Sequence, residues 1–133
     1  MSRDVVVVDA SAFVDVLVGS DLAGPVTERL RGRRLVAPAH FDAEVLSALG
    51  RLARGGALSD RHVADRLRRT AAAPVRRDDV APLLPGAWRR RHDLRLVDAL
   101  YVELAHQLGA LPLVTTDGRL AAATPLADLV TVP

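Results

Sequence analysis

Val5-Val6-Val7-Val8-Asp9 and Leu113-Val114-Thr115-Thr116-Asp117 are the stretches from which the fold is read. Each is a short run of apolar or β-branched residues without the apolar–polar alternation of a half-exposed strand. Such a run predicts a strand buried on both faces, the kind found in parallel sheets covered by helices. Each run is followed by an aspartate. In open α/β sheets, ligands bind in the crevice at the carboxyl ends of the strands. Asp9 and Asp117 are therefore placed where a ligand would sit, and two carboxylates there imply an acidic pocket that needs a cation.

Working outward, strand and helix patterns alternate. The first strand covers residues 4–8, and Asp9 or Ser11 can cap a short apolar helix over residues 12–18. A helix over 21–31, a short strand over 35–37 and a helix over 40–54 follow, the last stopped by Gly55-Gly56. Ser59 caps a helix over 60–70, and residues 74–76 form a weak strand. One helix is predicted from Asp78 or Asp79 to Arg91 and another over 96–108. The second buried strand covers 111–115, a short helix follows Asp117, and residues 129–132 form an edge strand. This alternation predicts a three-layer α/β/α sandwich with a short parallel sheet of four to five strands. With 133 residues the chain is expected to form a single domain over 1–133.

Composition removes several function classes. Cysteine is absent, which excludes disulfides, thiolate catalysis and zinc–thiolate sites and suits a cytoplasmic location. No apolar run is long enough for a bilayer, and Met1-Ser2-Arg3-Asp4 leads straight into a strand, so neither a membrane anchor nor a secretory leader is expected. All 18 basic residues are Arg, so a net charge of only +2 still yields a pI near 10.3. Without Lys there is no phosphate-binding P-loop and no Schiff-base chemistry. Receiver domains and haloacid-dehalogenase-type phosphatases normally rely on a Lys too, and Asp9-Ala10-Ser11 lacks the Asp-x-Asp of the latter. No G-x-G-x-x-G signals a dinucleotide. Arg clusters at 31–34, 66–69, 76–77 and 89–91 are compatible with solvated helix faces or with a nucleic-acid footprint.

Helical geometry sorts the remaining acids. At about 100° per residue, Asp98 falls roughly 60° from the centre of the stripe Val97, Tyr101, Leu104, Ala105, Leu108, while Glu103 lies on the far side and reads as a surface acid. An Asp on an apolar face is costly unless it is paired or metal-bound. Glu44 and Asp42 flank the stripe Phe41, Val45, Ala48, Leu49, Leu52 almost symmetrically, about 80° either side, so periodicity leaves both open. Asp9 and Asp117 also have a plain reading as N-caps.

Four blocks in this order carry a resemblance: Val7-Val8-Asp9-Ala10-Ser11-Ala12, then Pro38 with Glu44-Val45-Leu46-Ser47-Ala48-Leu49, then Asp98-Ala99-Leu100-Tyr101-Val102, then Leu113-Val114-Thr115-Thr116-Asp117 with Arg119-Leu120. Together they resemble the PIN-domain family, and more narrowly its VapC-type toxin ribonucleases of type II toxin–antitoxin pairs. The resemblance implies that Asp9, Glu44, Asp98 and Asp117 are the metal-site and catalytic acids, which selects Glu44 over Asp42. It also implies that Ser11 and Thr116 supply small hydroxyls near the site. Arg95-Leu96-Val97 departs from the small polar or aromatic residue that relatives often carry before this Asp, which bears on the shape of the groove.

Carboxylates about 5 Å apart repel by roughly 3 kcal/mol per pair at an effective dielectric of about 20. The expected cofactor is therefore Mg²⁺, with Mn²⁺ as the alternative, since both suit all-oxygen ligands. A metal-activated water would then hydrolyse a phosphodiester. The resemblance implies structured RNA (tRNA or rRNA) as substrate, a cognate antitoxin protein as partner, and a homodimer. A PIN-type RNA-processing nuclease that is not a toxin, or an inactive metal-binding module, are the alternatives. Trp88 is expected in the core or a dimer interface, and His40, His62, His92 and His106 in structural or surface roles.

Overall fold

A computed structural model describes residues 4–133 of the chain; the expectation about its start, Met1-Ser2-Arg3, lies outside them. Five parallel strands, β1 (Val5–Val8), β2 (Arg34–Pro38), β3 (Val75–Asp78), β4 (Leu113–Thr115) and β5 (Ala127–Leu129), form one sheet in the order β3-β2-β1-β4-β5. The connecting helices are α1 (Ala10–Val18), α2 (Ala23–Leu30), α3 (Phe41–Arg54), α4 (Asp60–Ala72), α5 (Leu84–Arg89), α6 (Leu96–Gln107) and α7 (Gly118–Ala122). This is the three-layer α/β/α arrangement expected from the alternation of patterns.

β1 is central, and Val6, Val7 and Val8 are buried although successive side chains point to opposite faces. Helices must therefore cover both faces, which explains the unalternating run. Each such Val stabilises the fold by about 1.5–3 kcal/mol relative to an exposed one. The sheet grows outward from β1 to β2 and β3, and then the chain crosses to β4 and β5 on the other side. The order reverses between β1 and β4, so the crevice beyond their carboxyl ends is the topological switch point. Asp9 follows β1 directly, and Asp117 stands two residues past β4.

Several expectations are corrected: the helix expected over 21–31 is Ala23–Leu30, and the strand expected over 111–115 is Leu113–Thr115. The first strand begins at Val5 rather than Asp4. The edge strand is Ala127–Leu129 rather than 129–132, because its register is set by β4, with Leu113 opposite Ala127 and Thr115 opposite Leu129. The helix expected from Asp78 or Asp79 to Arg91 is a short 3-10 turn (Ala81–Leu83) followed by α5. Pro82 and Pro85 explain the break, since neither supplies a backbone N–H to a continuous helix. Glu103 is not a surface acid, because α6 is buried all round from Asp98 to Ala105.

α5 covers the side of α6 that the helical stripe left unassigned. Glu103 Oε1 accepts from Arg90 Nε (3.3 Å) and Nη2 (3.1 Å), and its Oε2 accepts from Gln107 Nε2 (2.8 Å). Burial alone would raise this carboxyl, but the Gln107 and Arg90 donors hold it below its ordinary value. Gly86 fits against it because a Cβ there would lie 2.1 Å from Glu103 Cδ. Ser59 caps α4 as expected, accepting from His62 N at 3.2 Å. Among the described residues, no helix is long and apolar enough to cross a membrane.

Candidate active site

A cavity of about 280 Å³ opens at the switch point, lined by Asp9, Ser11, Glu44, Arg51, Arg95, Asp98 and Asp117, with Ala10, Val14 and Ala48. The four acids arrive from the end of β1, the first turn of α3, the first turn of α6 and the loop after β4. Asp42, the other candidate on α3, is turned away: Arg77 Nη2 and Nε donate to its Oδ1 and Oδ2 at 2.9 and 3.2 Å.

Asp9 stands at the N-cap position of α1 but makes no side-chain capping bond. Its Oδ2 instead accepts from Ser11 Oγ (2.6 Å) and from Thr115 Oγ1 (2.7 Å). Burial pushes the Asp9 carboxyl up to about 6; the two hydroxyls oppose that shift, and the charges of Glu44 and Asp98 add to it. Asp117 is both a cap and a lining acid, because its Oδ1 accepts from Arg119 N (2.9 Å) and Leu120 N (3.5 Å).

Glu44 is pinned from the core. Tyr101 donates its phenolic hydrogen to Glu44 Oε1 at 2.6 Å, and burial with the charge of Glu44 holds the phenol well above its ordinary value. His40 Nε2 lies 3.3 Å from the same oxygen and 3.0 Å from the Val97 carbonyl, which requires the hydrogen on Nε2. His40 Nδ1 is buried without a partner among the described residues, so this histidine stands behind Glu44, off the cavity wall, rather than as a surface group.

Asp98, 7% exposed, is paired. Arg95 Nε donates to its Oδ2 at 2.9 Å and Arg95 Nη2 to its Oδ1 at 3.3 Å. These bonds and the Asp98 charge hold the Arg95 guanidinium above its ordinary range, with Asp117 and Glu44 adding at longer reach.

The PIN domain family matches residues 6–124 of the chain. Ribonuclease VapC3 of Mycobacterium tuberculosis (strain ATCC 25618 / H37Rv) is 55% identical over 126 residues, spanning 94% of this chain and 91% of the relative. Ribonuclease VapC12 of the same strain is 38% identical, over 87% and 89%. The chain belongs to the PIN-domain family. Within it, the chain is a VapC-type toxin ribonuclease. Two solved structures share the fold. One is Mycobacterium tuberculosis VapC20, a Sarcin-Ricin loop cleaving toxin (TM-score 0.66, 21% identity, 89% of this chain and 94% of that one). The other is PAE2754 from Pyrobaculum aerophilum (TM-score 0.67, 25% identity, 96% and 83%).

Two contributors to this PIN domain's pocket were not visible in the sequence. Thr115 is fully buried, and its hydroxyl donates to Asp9 and accepts from Asp117 N (3.0 Å), tying the two strand ends together. Asp15 accepts from Thr116 Oγ1 at 2.7 Å, so Thr116 reaches Asp9 only through Ser11 Oγ, 3.2 Å away. A hydroxyl inside a buried strand was the available signal for Thr115. Trp88 is 57% exposed and stacked by Arg91, which places it outside the core.

The donor set suits a hard divalent cation: four carboxylates, no thiol and no imidazole on the cavity wall. Among the described residues no three His, Asp or Glu side chains close into a ready cage. An ion that keeps several waters and takes only one or two carboxylates directly, as Mg²⁺ does, needs no such cage.

Proposed function

We propose that this single PIN domain over residues 1–133 hydrolyses phosphodiester bonds in structured RNA, tRNA or rRNA, using Mg²⁺ or Mn²⁺. The observation that carries the reading is the convergence of Asp9, Glu44, Asp98 and Asp117 on one cavity at the switch point of the sheet. Asp9, Glu44 and Asp98 would hold the ion directly or through water, and Asp117 would orient water or take a second ion. A divalent cation there supplies Lewis acidity toward water and phosphate.

The protein's own groups prepare that pocket. Ser11 and Thr115 occupy Asp9 Oδ2 and leave Oδ1 without a donor among the described residues. Tyr101 and His40 fix the rotamer of Glu44. Arg51, exposed on the cavity wall, offers a counter-charge to the substrate phosphodiester.

The VapC names of the relatives support a cognate antitoxin protein as partner, rather than a role in RNA processing. Exposed Leu84 and Trp88 on α5 supply apolar surface for a homodimer. Induced expression of the wild type and of Asp9→Asn, followed by mapping of RNA ends, tests the reading. New discrete ends in tRNA or rRNA with the wild type alone are expected; the same ends with Asp9→Asn would overturn it.

A further inference from the structure

Arg95 is the arginine paired with one of the four pocket acids, and its bonding differs from that of Arg77 and Arg90. Arg77 holds the Ala73, Val75 and Thr70 carbonyls as well as Asp42, and Arg90 clamps a buried glutamate beneath α5. The Arg95 guanidinium bonds only to Asp98 among the described residues, and its side chain is 70% exposed against 9% for Asp98. The backbone at this position is fixed independently, since the Arg95 carbonyl accepts from Asp98 N and Ala99 N. Among the described residues, Asp98 alone holds the guanidinium by hydrogen bonds.

Arg95 also stands on a border. It and Asp98 line both the acidic cavity and a second one of about 310 Å³, whose wall carries Arg91, His92, Asp93 and Arg119. Beside the shared pair, one side carries Asp9, Glu44 and Asp117 against Arg51, and the other carries Arg91 and Arg119 against Asp93. A fork-shaped guanidinium binds a carboxylate or a phosphate equally well.

Resting on the metal-dependent ribonuclease reading above, we propose that Arg95 is an exchangeable counter-cation. It occupies Asp98 until a divalent ion takes that carboxylate, and the released guanidinium then binds an RNA phosphate lying toward Arg91 and Arg119. The exchange keeps Asp98 paired throughout: a singly charged guanidinium leaves as a doubly charged ion enters, so the pocket gains one positive charge that offsets its remaining carboxylates. It would set the metal affinity of this protein lower than its four acids alone would give, and couple metal binding to substrate binding.

The test is calorimetric titration of Mn²⁺ into metal-free wild type, Arg95→Ala, Arg95→Lys and Asp9→Asn, with RNA cleavage kinetics at saturating Mn²⁺. Arg95→Ala should bind Mn²⁺ roughly three- to tenfold more tightly, and Arg95→Lys, which keeps the charge but not the fork, should fall between it and the wild type. The KM for RNA should rise by a similar factor in Arg95→Ala while kcat stays within about threefold, a split that a purely structural role would not produce. Unchanged or weaker Mn²⁺ binding in Arg95→Ala, with wild-type binding intact and abolished by Asp9→Asn, would overturn the exchange and leave the metal site standing. Tighter Mn²⁺ binding with an unchanged KM would overturn the phosphate contact. No Mn²⁺ binding by the wild type would remove the metal reading and the exchange with it.

Discussion

Tyr101, fully buried on α6, donates its hydroxyl hydrogen to Glu44 Oε1 on α3 at 2.6 Å. The rigid core thereby sets the position of a pocket carboxylate contributed by a different helix. Tyr101→Phe keeps the ring and removes the donor. Outer-shell partners of this kind change activity by about 10- to 100-fold, so kcat for RNA cleavage should fall by roughly tenfold. Stability should fall by only about 1–2 kcal/mol, because the apolar packing survives. Single-turnover kinetics and denaturant melts measure the two effects; an unchanged kcat would show that Glu44 is oriented without Tyr101.

Glu44 and Asp42 lie two residues apart yet face different surroundings, the cavity for one and Arg77 for the other. Glu44→Gln should abolish cleavage. Asp42→Asn should leave it within a few-fold and cost about 1 kcal/mol or less, since its side chain is 49% exposed. A dead Asp42→Asn variant with an active Glu44→Gln would reverse the assignment.

Much of this was legible before the structure. Val5 to Val8 and Leu113 to Thr115 revealed the two central strands because burial on both faces leaves no alternation. Asp9 and Asp117 followed from where those strands end. The PIN resemblance, rather than periodicity, separated Glu44 from Asp42; the cavity wall carries Glu44, and Asp42 faces Arg77. Glu103 was misread because a helical stripe identifies one packed face only, and α6 is enclosed on the other by α5. His40 and Thr115 were missed because their contacts, to Glu44 with Val97 and to Asp9 with Asp117, depend on chain crossings that local pattern does not encode. The expected cost of an unpaired inward acid was assigned to Asp98, but Arg95 pairs that residue and the uncompensated carboxyl is Asp9.

Asp9 gives the fold a defined pH dependence. Its carboxyl titrates near 6 when folded against an ordinary 3.8, so the folded state holds the proton more tightly. The stabilising effect of that proton is fully present below the unfolded value and is lost as pH rises to and beyond the folded one. Asp9→Asn removes the charge and keeps an acceptor for Ser11 and Thr115. In chelator, its stability relative to wild type should grow by about 1–1.5 kcal/mol between about pH 5 and pH 7.5. Parallel pH profiles from denaturant melts would refute the raised carboxyl.

Gly86 and Glu103 form a second testable contact. Gly86→Ala forces a Cβ onto a carboxylate held by Arg90 and Gln107. The expected loss is about 1–3 kcal/mol, and it should shrink in an Glu103→Ala background, where the obstacle is gone. Additive losses in that double-mutant cycle would mean that α5 yields without disturbing Glu103.

The most direct measurement is cleavage of purified RNA by wild type and Asp98→Asn, each in chelator, in millimolar Mg²⁺ and in millimolar Mn²⁺. The four-carboxylate pocket requires cleavage by wild type only when metal is present, and none by Asp98→Asn under any condition. Full wild-type cleavage in chelator, or an Asp98→Asn protein as active as wild type in metal, would contradict it.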